Sequence, residues 1–167
     1  MTPSPEEQVP VMVVLPFLNE DKLDETFKAV NDVNGPRFRK HLTTDELYDM
    51  IGNPNATAAV LEWLRGEGLQ ARVSKSRYAV RAVGPVSAVE RAFGAHYQVF
   101  EHKTRTDPRS GKPLRMFRSA KHTVPTHMTE YVSYVAHISD FYENKIKPLI
   151  AKDTIKMLRK RQQAARS

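Results

Sequence analysis

The side chains that could do chemistry in this chain are six histidines, an acidic group at Asp45, Glu46 and Asp49, several serines and the pair Gly66 and Gly68. A metal site on a helix needs two imidazoles four residues apart, so that both leave the same face. No histidine pair has that spacing; His122 and His127 come nearest, and Pro125 stands between them. Phosphate binding needs glycines at the start of a helix, where free amides point outward. Gly66-Glu67-Gly68 instead follows the apolar stripe of Val60, Leu61 and Leu64 and closes a helix. No serine sits in a G-x-S-x-G elbow. With no cysteine in the chain, a thiol nucleophile, a disulfide scaffold and a cysteine-zinc site are excluded. The acids at 45, 46 and 49 fall where a helix begins, and capping and the helix dipole account for them. The expectation is therefore no catalytic residue, no cofactor and no metal.

Charge gives a different signal. The net charge is +7, but residues 141–167 hold eight Lys or Arg against two acids, and residues 1–140 hold eighteen against seventeen. The folded part is nearly neutral. Within it, residues 101–121 carry seven bases against Glu101 and Asp107, which marks a basic loop. A chain of 167 residues, 40% apolar and 27% charged, fits one globular domain with a tail. The expected organisation is a flexible lead-in over 1–8, a domain over 9–141 and a basic tail or junction over 142–167. No apolar run is long enough for a membrane span. The first residues, Met1 to Glu7, carry acids where a secretory signal has bases, so no signal peptide is expected.

The elements that must position these residues follow from local pattern. Val9 to Leu15 reads as a strand despite Pro10. Asn19 is expected to cap a helix with Glu20 and Asp21 in its first turn and Leu23, Phe27 and Val30 on one face, broken at Asn34-Gly35-Pro36. Thr43 and Glu46 form the pattern of a capping box before Leu47, Met50 and Ile51. A helix carrying Val60 and Leu64 ends near Gly68, and Asn55-Ala56-Thr57 is a formal glycosylation acceptor whose asparagine could equally be a helix cap. Leu69 to Ser74 and Tyr78 to Val83 read as paired strands. Ser87 and Glu90 repeat the capping-box spacing ahead of Val89, Ala92 and Phe93, with Gly94 as the stop. His96 to Phe100 is a further strand, able to form a long hairpin with Leu114 to Phe117 across the turn-rich Asp107–Pro113. After Pro125, the spacing of Met128, Tyr131, Val132, Val135 and Ile138 predicts a last helix. Strand, helices, strand, strand, helix, strand is the order of a ferredoxin-like split βαβ fold: α+β, an antiparallel sheet with helices on one face, here followed by a helical basic tail. Tyr97 and Phe117 lie near bases, but without an RNP-type aromatic run they read as packing residues.

Three motifs in this order, His41-Leu42-Thr43, the helix ending at Trp63-Leu64 with Gly68 beyond it, and Val89-Glu90-Arg91-Ala92-Phe93 leading into Tyr97, resemble the activation domain of the sedolisin serine-carboxyl peptidases, the group that includes kumamolisin and tripeptidyl peptidase. The resemblance covers roughly residues 9 to 141. It implies a non-catalytic prodomain, without the Ser, Glu and Asp of the peptidase itself, that chaperones folding of the catalytic domain and inhibits it until acid releases it. It implies a partner, the sedolisin-type catalytic domain in cis or in trans, and a secreted or lysosomal setting. The chain would then be a truncated zymogen or a free-standing prodomain. His41, Leu42, Thr43, Trp63, Gly68, Glu90 and Phe93 would be structural, whereas Arg105, Arg109, Lys112, Arg115, Arg118, Phe141 and Tyr142, together with the sheet face, would meet the peptidase. The alternative is a basic protein whose C-terminal helix, with Lys156, Arg159, Lys160 and Arg161, binds nucleic acid or an anionic surface.

Overall fold

The computed structural model of the chain describes residues 1–139, so Phe141, Tyr142 and the basic tail lie outside the described residues. The elements are β1 (Gln8–Val14), α1 (Glu20–Asn31), α2 (Thr44–Ile51), α3 (Pro54–Gly66), β2 (Gln70–Val73), β3 (Ala79–Pro85), α4 (Val86–Phe93), β4 (Tyr97–Thr106), β5 (Pro113–Ser119), a 3₁₀ turn (Thr126–Tyr131) and β6 (Tyr134–Ala136). The fold is α+β with antiparallel sheets. Among the described residues no helix is long and apolar enough to cross a membrane.

Alternation along β1 decides where the core forms. Val9, Val11 and Val13 are buried, while Gln8 and Pro10 are exposed and Met12 and Val14 are half-buried. Val80 and Ala82 of β3 share the buried side, and α3 supplies Ala56, Val60 and Leu64 over it, with Val86, Val89 and Phe93 from α4. Burying each of the valine, leucine and phenylalanine side chains stabilises the fold by roughly 1.5–3 kcal/mol. Trp63 is half-buried and meets the fully buried Phe93 edge to face, ring centres 5.2 Å apart.

The main sheet has the order β2-β3-β1-β6. The strand expected at His96–Phe100 forms, but as β4 it pairs with β5 in a separate two-stranded ribbon, the hairpin that the turn-rich segment foretold. The place beside β1 goes to β6, with Val14 opposite Tyr134 and Met12 opposite Ala136. The helix expected after Pro125 is thus corrected to a 3₁₀ turn and a short strand. β1 has an edge whose backbone groups need partners, and the chain after Ser133, whose amide donates to the Val14 carbonyl at 2.8 Å, supplies them. Met128 and Ile138 are still buried, as the apolar spacing requires.

Three caps also differ from expectation. Thr43 and Glu46 do form the capping box of α2. Ser87 and Glu90 do not: Pro85 stands at the cap of α4, whose first amides, Val86 and Ser87, donate to the carbonyls of Glu7 and Pro5 at 2.8 and 3.0 Å. Asn19 precedes α1 with a left-handed backbone and makes no side-chain cap; its amide group donates to the Met50 carbonyl at 3.0 Å. The cap of α3 is Asn53, whose Oδ1 accepts from the Ala56 amide, so Asn55 is an exposed first-turn residue. Residues 1–8, expected to be flexible, are hydrogen-bonded into the fold through Pro5, Glu7 and Met1, whose carbonyl accepts from Val99 at 2.7 Å.

Candidate docking surface

The helices that cover one side of the main sheet leave its other side open. Pro10 and Met12 of β1, Gln70 and Arg72 of β2, Arg81 and Val83 of β3, and His137 line a groove of about 500 Å³ there. Strand alternation puts them there: every second residue of β1 and β3 faces the core, so Pro10, Met12, Arg81 and Val83 must face away. Tyr134 of β6 is 58% exposed and Val83 40%, an apolar content that a solvated face does not need.

The basic loop is the β4–β5 ribbon. Its root is packed, with Tyr97 and Val99 buried and Tyr97 edge to face with Phe117 at 6.1 Å, so these two aromatics are packing residues as expected. Glu90 fixes that root. Its Oε1 accepts from the Tyr97 amide at 2.7 Å, while its own carbonyl accepts from the Gly94 and Ala95 amides. The far end is a tight turn in which Asp107 accepts from the Arg109 amide and the Ser110 hydroxyl, both at 2.9 Å. These two bonds, the amide first, hold the Asp107 carboxyl below the usual carboxylate range. Arg105, Arg109 and Lys112 are exposed at this distal end.

The remaining two loop bases sit nearer the core. Arg115 pairs with Glu7 and lies over the Phe117 ring at 5.8 Å, so it ties the N-terminal segment to the ribbon. Arg118 is exposed opposite Gln98. The five bases therefore do not form one patch: three lie at the tip and two along the stem.

Among the motif residues, Thr43, Trp63, Glu90 and Phe93 make contacts within the fold. His41 and Leu42 are exposed in the approach to α2, and Thr43 caps that helix. The two Thr43 bonds, backbone amide first and hydroxyl second, lower the Glu46 carboxyl below its ordinary range. Gly68 has φ 86 and turns the chain from α3 into β2. Among the described residues no group of three potential metal-ligating side chains converges.

Local reading missed Arg72 and Arg81 on the open face, although their alternation with buried neighbours could have revealed them. It also missed Arg77, which donates to Asp45 at 2.6 Å and stacks over Tyr48 at 4.1 Å, joining the β2–β3 turn to the start of α2. No spacing rule reports a contact across thirty-two residues.

Residues 1–141 match the family model described as Pro-kumamolisin, activation domain. Physarolisin of Physarum polycephalum is 23% identical over 137 residues, a stretch that covers 81% of this chain and 23% of Physarolisin. The chain thus matches less than a quarter of the length of that curated relative.

Proposed function

The chain belongs to the Pro-kumamolisin activation-domain family, and from that premise we propose that it is the propeptide of a sedolisin-type peptidase, acting as folding chaperone and as an inhibitor released by acid. An activation domain is a propeptide, and the chemistry expected of the parent, through Ser, Glu and Asp, is assigned to a catalytic domain joined in cis or met in trans. The observation that carries the reading is the open face of the main sheet, apolar and basic together, in a chain of this family. The sheet order β2-β3-β1-β6, with α3 and α4 on one side, supports a ferredoxin-like split βαβ arrangement in which β6 takes the fourth place.

The docking surface is the open face, the ribbon with Arg105, Arg109, Lys112, Arg115 and Arg118, and the segment with Phe141 and Tyr142. Of the five bases, Arg105, Arg109 and Lys112 reach furthest from the core, while Arg115 acts through its hold on Glu7. Asn55 is the glycosylation candidate should the chain enter a secretory pathway. Carboxylates of the peptidase that pair with these bases have their pKa depressed in the complex. Each pair then stabilises the complex above the free value of about 4 and is lost as pH falls through the depressed one.

The test is inhibition of an acid-activated sedolisin-type peptidase by the full chain, titrated at pH 7 and pH 4. Tight inhibition at pH 7 that disappears at pH 4 is expected. Absence of inhibition at both values would remove the propeptide reading and turn attention to nucleic-acid binding by Lys156, Arg159, Lys160 and Arg161.

A further inference from the structure

On the open face, Arg72 of β2 and Arg81 of β3 stand directly opposite each other in antiparallel register, and both are exposed. Opposed side chains have Cβ atoms about 5 Å apart, and like charges so placed oppose strand pairing. The sheet therefore tolerates a repulsive pair between its edge strand β2 and β3. Three other arginines are matched within the fold: Arg77 with Asp45, Arg91 with Glu67 and Arg115 with Glu7. Among the described residues neither Arg72 nor Arg81 has an acid in ion-pair range. Both line two adjoining depressions, the groove of about 500 Å³ floored by Pro10, Met12 and Val83 and a second of about 430 Å³ that includes Lys75 and Ser76. No acid lines either one.

We propose that Arg72 and Arg81 together receive an Asp or Glu side chain of the peptidase domain, whose neighbouring apolar side chain sits on Met12 and Val83. This rests on the propeptide reading and names the chemistry of its central contact. Two guanidinium forks facing one space can each donate to one carboxylate, which cancels the repulsion that the free sheet carries.

The double variant Arg72→Gln/Arg81→Gln, made in the full chain, tests this against Lys22→Gln/Lys28→Gln, two exposed lysines of α1, as a control of equal net charge. The double variant should keep or raise the melting temperature of the free chain, while its inhibition constant toward a sedolisin-type catalytic domain at pH 7 rises about tenfold or more. Lys22→Gln/Lys28→Gln should leave that constant unchanged. Wild-type inhibition with an unaltered constant in the double variant overturns the inference and leaves the propeptide reading intact. Weakened inhibition accompanied by a lowered melting temperature also overturns it, because the arginines would then serve the sheet. No inhibition by the wild-type chain removes the propeptide reading, and the inferred partner with it.

Discussion

Replacing Glu90 with alanine should loosen the basic ribbon from the core at its root. The Glu90 carboxylate accepts from the Tyr97 amide at 2.7 Å, at the point where α4 ends and β4 begins. Tyr97 is only 4% exposed, so water cannot readily replace the lost acceptor. A hydrogen bond to a charged group contributes about 1.5–3 kcal/mol, and a stranded buried donor costs ~1–3 kcal/mol; these describe one loss from two sides and are not added. The expected destabilisation is about 2 kcal/mol, which at a urea dependence of ~2 kcal/mol per molar lowers the unfolding midpoint by about 1 M. Glu90→Gln retains an acceptor oxygen and should lose about half as much. Hydrogen exchange locates the effect. The Tyr97 amide should lose protection in the alanine variant, by up to about 30-fold, while amides of β1 and β3 change only as far as global stability does. An alanine variant within about 0.5 kcal/mol of wild type, with the Tyr97 amide still protected, would refute the assignment of Glu90 as the ribbon's anchor.

Two further outcomes follow from local geometry. Glu46 and Asp107 both have carboxyl pKa values depressed in the folded state, by the Thr43 bonds and by the Arg109 amide and Ser110 hydroxyl respectively. Their contribution is fully present above the unfolded value of about 4 and is lost as pH falls through the depressed values. Thermal melts between pH 6 and pH 3 should therefore show a stability decline below about pH 5, and Glu46→Gln should flatten it; an unchanged slope would contradict the capping-box account. Two glycines should respond to alanine with opposite sign in calorimetry. At Gly52 an added Cβ would meet the Tyr48 carbonyl oxygen at 2.5 Å and its ring at 2.6 Å, and overpacking of this kind costs about 1–3 kcal/mol. At Gly66, the last residue of α3, nothing lies within 4 Å, so the substitution should be neutral or stabilise by about 0.5–1 kcal/mol.

Legibility in the sequence tracked the range of the interactions. Thr43 and Glu46 satisfy each other within one turn, and their pattern was sufficient. Ser87 and Glu90 have the same spacing and fail. The amides a Ser87 cap would serve are not the ones left over, because the N-terminal segment, some eighty residues away, already supplies carbonyls to Val86 and Ser87. Glu90 is thereby released to hold Tyr97. Likewise, Met128, Tyr131, Val132, Val135 and Ile138 fit a helix by spacing alone, yet the demand of β1 for an edge partner pulls Tyr134–Ala136 into a strand. The basic cluster was visible as composition, but its division into a distal three and a stem-bound two depends on Glu7 and on ribbon register.

The edge of β1 also bears on how a partner can be recognised. β3 pairs with all of Gln8–Val14, whereas β6 covers only Met12–Val14, so the outer edge over Gln8–Val11 has no strand beside it among the described residues. An uncovered edge invites another chain to add a strand. Pro10 lies in the middle of that stretch and has no amide hydrogen to offer, which blunts the edge in the way natural sheets commonly do. With strand addition disfavoured at that edge, the surface we propose for recognition is the side-chain face, where Pro10 itself, Met12, Val83 and the Arg72–Arg81 pair line one groove. Recognition through a face reads side-chain chemistry, and here that chemistry is two cations on an apolar floor. A partner without a carboxylate at that place would leave the repulsion between them standing.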